Sequence, residues 1–312
     1  MDATAAQRRT RVGIAYAAAA YVTWGLFPVY FHSLAGTSPL EILAHRIAWS
    51  AIFLVAIITA LRRWGDVVAR LRAPGAIGGL ALSATFISGN WLVYIWAVNA
   101  GRVLEASLGY FVNPLVTVLL GVAFLRDPLT RRQIAAIALA AAGVLSLVVR
   151  AGTVPWVALL LAVTFAMYGL IRKRVRVDAL AGLFGEVALL TPLALAYLAW
   201  LARTGTMRFG AGDLRLTLLL SASGVVTAVP LMWFAAGVSR LRLSTVGLLQ
   251  YLNPTMQFAI AVFAFGERFT PAHAVAFGCI WASLALYTAE ALAAARRFEA
   301  SVAAPGAARA AR

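Results

Sequence analysis

Four ionisable side chains interrupt runs that are otherwise apolar, and they have the most chemistry to offer. His45 and Arg46 fall in the run 41–61, Glu105 opens the run 104–125, and Glu186 lies inside 179–201. Charge in hydrocarbon is costly and faces a bundle interior or a water-filled path, where it either pairs or works. Arg46 and Glu186 are 140 positions apart in matching runs. The first expectation is therefore an interior ion pair between them; a carboxylate that carries a coupling proton is the sharper alternative. Glu105 is either a favourable charge at a helix start or part of an entry site. His45 is expected to pack through a hydrogen bond before it relays protons, and His32 and His273 lie near run ends.

Uncharged polar residues form stripes at helical spacing. Ser83, Asn90, Tyr94 and Ala97 share one face with Trp91 and Trp96 beside it, and Tyr110, Asn113 and Thr117 share another. Gln250, Asn253 and Gln257 make a third stripe; Trp24, Tyr168, Thr227 and Phe234 add to the set. Amides and small residues tie membrane helices together, or they line a cavity in which amides hold polar parts of a ligand and aromatics cover the rest. Recurring on several runs and rich in aromatics, they favour the cavity. Its candidate substrate contacts are Trp24, Asn90, Trp91, Tyr94, Tyr110, Asn113, Tyr168, Gln250, Asn253 and Gln257. Pro114 and Pro254 free a carbonyl and kink their helices, which suits a gate. His45, Arg46, Glu105, Pro114, Glu186 and Pro254 are the candidates for coupling or gating.

Several chemistries are missing. There is no HExxH, no GxxxxGK[ST] and no grouping of the three histidines, so no catalytic residue, metal or cofactor is expected. An intramembrane enzyme, a channel and a non-transporting scaffold remain as alternatives, the channel disfavoured by the lack of a repeated filter-like loop.

Positioning these residues falls to apolar helices. The chain has 312 residues, 62% hydrophobic and 12% charged, and several runs reach the roughly 20 residues a membrane crossing needs. Breaks at Pro, Gly and Arg clusters define ten spans at 13–31, 41–61, 75–99, 104–125, 131–149, 154–171, 179–201, 214–238, 243–265 and 271–294. The first follows Arg8, Arg9 and Arg11 as a signal peptide would, but Trp24, Pro28 and Tyr30 mark it as a retained helix. With the N-terminus inside, 20 basic residues fall on the cytoplasmic side and 6 opposite, so both termini are expected in the cytoplasm. The net charge of +16 therefore sits in short loop clusters, which suits anionic lipid and not nucleic acid. Cys279 lies in an apolar run and is expected to pack. The Ala/Arg-rich segment 296–312 reads as a disordered cytoplasmic tail, and residues 1–12 as a cytoplasmic N-terminal tail.

The chain also repeats itself. LEASLGYFVNPLVTVLLGVAFLRDPLT (104–130) parallels STVGLLQYLNPTMQFAIAVFAFGERFT (244–270), aligning Asn113-Pro114 with Asn253-Pro254, Asp127 with Glu267 and Thr130 with Thr270. The copies fall in the fourth and ninth spans, an odd offset of five, so the second enters the membrane from the opposite side, a construction common in secondary transporters. Thr130 with Gln133 is a capping box, and Thr270-Pro271 places a cap before a first-turn proline. Units of 13–150 and 151–295 follow from the repeat.

TWGLFPVYF (23–31), EILAHRIAWS (41–50), GNWLVYIWAVN (89–99), LEASLGYFVNPL (104–115), YGLIRK (168–173) and RLRLSTVGLLQY (240–251) together resemble the EamA-type drug/metabolite transporter superfamily and its RarD branch. The likeness spans about residues 10–295. It implies an all-α membrane protein of ten transmembrane helices, as two inverted five-helix EamA repeats. Its cavity would be lined by the first, third, fourth, sixth, eighth and ninth helices. The expected activity is alternating-access transport of a small organic substrate, as export across a bacterial inner membrane. Expected partners are that small-molecule substrate and anionic lipid, with a homodimer left open.

Overall fold

The computed structural model describes residues 3–125, 129–175, 177–241, 245–246 and 249–303. Asp127, Arg176, residues 242–244 and 247–248 at the start of the expected ninth span, and the tail from 304 lie outside the described residues. The described chain is helical: α1 (Ala3–Gly25), α2 (Phe27–His32), α3 (Pro39–Ala60), α4 (Trp64–Leu71), α5 (Ala76–Asn99), α6 (Val103–Leu120), α7 (Arg131–Ala151), α8 (Trp156–Val175), α9 (Ala179–Arg203), α10 (Leu214–Val238), α11 (Leu252–Ala259) and α12 (Pro271–Ala303). Among the described residues nine segments are long and apolar enough to cross a membrane. The shorter apolar stretch Leu252–Ala264 stands where the ninth span was expected.

Local chemistry explains many of the boundaries. Pro28 sits in the first turn of α2, after a break at Leu26 that divides the expected first span. The Thr130 capping box forms, with Gln133 N–H donating to Thr130 Oγ1 and Thr130 N–H to Gln133 Oε1. Asp178 and Asp213 cap α9 and α10. Ala-rich sequence carries α12 as far as Ala303, beyond the boundary expected at 295, because alanine is the strongest helix former. The sequence reading missed α4. Its signal is present, since Trp64, Val67, Val68 and Leu71 recur at i, i+3, i+4 and i+7, but surrounding arginines obscure it.

Two π-helical turns, Gly121–Leu125 and Ile260–Ala264, extend α6 and α11. Each follows one of the repeat prolines, Pro114 or Pro254, by about two turns of α-helix. They occupy equivalent places in the two halves.

Helices pack mainly across the halves: α1 on α10 and α11, α3 on α9 and α10, α5 on α8 and α9, α6 on α8 and α11, and α7 on α12. Exchanging the halves (α1 with α8, α3 with α9, α5 with α10, α6 with α11) maps this set of pairs onto itself. That is the signature of two inverted five-helix repeats locked by a pseudo-twofold axis. Small residues set the closest crossings. A Cβ on Gly109 of α6 would lie 2.6 Å from the Ala158 carbonyl oxygen of α8, and one on Gly224 of α10 would land on the Trp49 carbonyl of α3. Such close approach is how helices associate where no water drives them together.

Candidate functional site

Arg46 is the eighth residue of α3 and 4% exposed. Its Nε donates to Thr227 Oγ1 at 2.7 Å. Thr227 lies at the middle of the 25-residue α10, so the guanidinium reaches mid-span. There it stacks on Trp91 at 4.0 Å, with Phe27 and Phe31 at 5.6 and 5.7 Å. Around it stand Tyr94, edge-on to Phe31 and to Tyr110, and Tyr30, whose hydroxyl donates to the Leu219 carbonyl at 2.7 Å.

The amides divide between packing and lining. Asn90 Nδ2 donates to the Leu161 carbonyl (3.0 Å) and Thr164 Oγ1 (2.8 Å), while the Tyr110 hydroxyl donates to Asn90 Oδ1 at 3.4 Å. Asn113 Nδ2 donates to the Ala162 carbonyl at 3.0 Å. Both asparagines therefore spend their donors joining α5 and α6 to α8. In the other half Gln257 plays the matching part, donating to Asn253 Oδ1 (2.7 Å) and, at 3.4 Å, to the Trp24 carbonyl of α1. Among the described residues its Oε1 has no hydrogen-bond partner. Trp24 packs with Tyr21 and Phe234, and Gln250 sits half-buried in the turn before α11. Asn90, Trp91, Tyr94, Tyr110 and Arg46 thus form one cluster, and Trp24, Asn253 and Gln257 a second.

The expected Arg46–Glu186 ion pair does not form. Glu186 pairs with Arg172 at 3.5 Å and accepts from Ser83 (2.6 Å) and Tyr168 (3.4 Å). Inversion is the reason. Each residue is eighth from the start of its helix, and those starts lie at opposite membrane faces, which leaves about 10 Å of helix between the two levels. Tyr168 accordingly hydrogen-bonds within the Glu186–Arg172 group and reaches the aromatic cluster through Phe165, which lies edge-on to Tyr110. Arg172 rests on Gly182, where any Cβ would overlap its guanidinium.

The remaining candidates sit at the end of the bundle where α1 and α2 finish. His45 stacks on Phe209 with ring centroids 4.6 Å apart. Its Nε2 is 4.0 Å from Glu41, which accepts the Arg208 amide at 2.8 Å. Glu105 accepts the Val157 amide at 2.8 Å and pairs with Arg102. It serves a helix start, though that of α8 across the repeat boundary as well as its own. Glu267 accepts the amides of Val103 and Leu104 at 2.6 and 2.8 Å, closing the first turn of α6. The repeat alignment pairs Glu267 with Asp127 without giving it a partner, and only the tertiary structure shows it capping a helix of the other half. Glu267→Ala should cost about 1–2 kcal/mol, the range for losing a helix cap. Hydrogen exchange at Val103 and Leu104 should rise; unchanged protection there would show that the contact holds nothing.

The inverted bundle, with polar and aromatic side chains gathered between its halves at mid-span, defines a multi-pass membrane transporter. The chain belongs to the EamA-like transporter family, whose model matches residues 11–149. It is 44% identical over 292 residues to a protein of Vibrio cholerae serotype O1 named as an uncharacterized transporter, covering 94% of this chain and 97% of that one. It is 45% identical over 285 residues to Protein RarD of Salmonella typhi, covering 91% and 97%. Chloramphenicol-sensitive protein RarD of Pseudomonas aeruginosa is 36% identical, covering 88% and 92%. A protein solved by crystallography shares the fold at a TM-score of 0.57 with 20% identity, over 89% of this chain and 96% of that one.

Proposed function

We propose that this protein is a secondary transporter that exports a small organic solute by alternating access. The observation that carries this reading is the mid-span cluster of Arg46, Trp91, Tyr94 and Tyr110, held where helices of the two halves meet. Repeat-related transporters place their substrate sites there. The matched prolines and π turns of α6 and α11 give both halves the same element able to absorb bending. In this reading the halves rock about the cluster, and no residue performs covalent chemistry.

The basic-residue bias supports a bacterial inner-membrane location with both termini cytoplasmic. At that end a cleft of about 360 Å³ is lined by Arg9, Thr10, Ser239, Arg240, Leu241 and Thr245, and cationic clefts at that level suit anionic lipid head groups. The test is an unbiased comparison of solutes released by cells with and without the protein, followed by flux of any differing solute in proteoliposomes. At least one solute should be released faster with the protein present, and its flux should respond to an imposed pH gradient. Identical release profiles would remove the transport reading; flux indifferent to the gradient would remove proton coupling alone.

A further inference from the structure

The Arg46 guanidinium carries a positive charge at mid-span without a counter-charge among the described residues. Its Nε is used by Thr227, but among the described residues its two terminal nitrogens have no hydrogen-bond acceptor and its charge has no carboxylate partner. The buried acids are engaged elsewhere, Glu41 on the Arg208 amide, Glu186 with Arg172 and Glu290 with Arg132, and the half-buried Glu267 is held on α6. Stacking on Trp91 offsets part of the cost of burying the cation, yet an unpaired buried charge remains strongly unfavourable. A second group nearby is also unsatisfied. Tyr94 is 3% exposed, and among the described residues its hydroxyl has no hydrogen-bond partner; its ring is edge-on to Phe31, whose own ring lies 5.7 Å from the Arg46 guanidinium.

The donors define the ligand. Guanidinium is a donor-only fork, and Thr227 fixes its orientation, so the edge left over presents two parallel N–H groups. That edge matches the two oxygens of a carboxylate better than any single acceptor. One uncompensated positive charge calls for one negative charge. Phe27, Phe31 and Trp91 wall the site with apolar surface, which favours a ligand whose remainder is apolar.

We propose that Arg46 is the anchor for the carboxylate of a small apolar monocarboxylic acid, with the Tyr94 hydroxyl donating to the same group. As a substrate class this rests on the transport reading above; as a binding site it is measured separately. The purified full-length protein is titrated with benzoate and phenylacetate, and with the neutral amides benzamide and phenylacetamide, following tryptophan fluorescence because Trp91 floors the site. Both acids should quench saturably and bind at least about tenfold tighter than their amides, as a charge-assisted bidentate contact requires. Arg46→Gln should abolish that preference, Arg46→Lys should keep part of it, and Tyr94→Phe should weaken the acids severalfold more than the amides.

Acids that fail to bind, acids and amides that bind alike, or a preference surviving in Arg46→Gln would each overturn the proposal. Should Arg46→Gln not fold, the acid–amide comparison on the unaltered protein, together with Tyr94→Phe, decides it. Arg46-dependent acid binding in a protein whose presence changes no exported solute would leave the anchor standing and remove transport. Solute export with no acid preference would do the reverse.

Discussion

Gly224→Val should yield no monodisperse protein after extraction from the membrane, and Gly224→Ala should melt well below the parent. A Cβ at this position lands on the Trp49 carbonyl and lies 2.8 Å from the Ser50 nitrogen. These are backbone atoms of α3, which no rotamer change can move aside. Overpacking against side chains costs about 1–3 kcal/mol; against backbone the helices themselves must part, so we expect Gly224→Ala at or above the top of that range. The Arg46–Thr227 hydrogen bond joins the same two helices, so separation would disturb the site as well as the fold. Gly278→Ala is the control. Nothing lies within 4 Å of its added Cβ, and replacing a mid-helix glycine gains about 0.5–1 kcal/mol. Equal melting temperatures for Gly224→Ala and Gly278→Ala would refute the close crossing.

Glu186→Ala carries the second large effect. It leaves Arg172, 15% exposed, without its carboxylate, and breaking one side of a buried pair costs about 3–5 kcal/mol. The paired replacement Glu186→Leu with Arg172→Met should recover most of that loss, because apolar groups of similar volume substitute well for buried ion pairs. Thermal melting of the single and double variants makes the comparison. Glu186→Gln is more informative about mechanism. The amide still offers an oxygen to Ser83, which donates to the carboxylate at 2.6 Å, so the variant should fold. It should also keep its response to a pH gradient, since the charge of Glu186 is already matched by Arg172. A folded Glu186→Gln protein blind to the gradient would instead make Glu186 the coupling acid.

The other coupling candidates have defined structural partners. Glu105 holds the first turn of α8, and His45 lies flat on Phe209. Arg172 keeps Glu186 as a counter-charge, whereas Arg46 has none among the described residues.

Much of this architecture is legible in the amino-acid order because its causes are local. Apolar length marks the spans, a 140-residue offset marks the repeat, Thr130 with Gln133 marks a helix start, and helical spacing placed Ser83, Asn90, Tyr94 and Ala97 on one face, all of which prove buried. Spacing along a helix determines height and face. It does not determine which helix that face meets, how far the axes tilt, or what a long side chain reaches. The offset that revealed Arg46 and Glu186 as equivalents thus suggested the wrong pairing, because inversion carries equivalent residues toward opposite faces. Glu267 on α6, Asn90 and Asn113 on the carbonyls of α8, and Arg46 on Trp91 and Thr227 all join residues at least 45 positions apart. Only the packed bundle brings such groups within hydrogen-bond range, and so only it shows which polar groups the fold uses and which it leaves for a ligand.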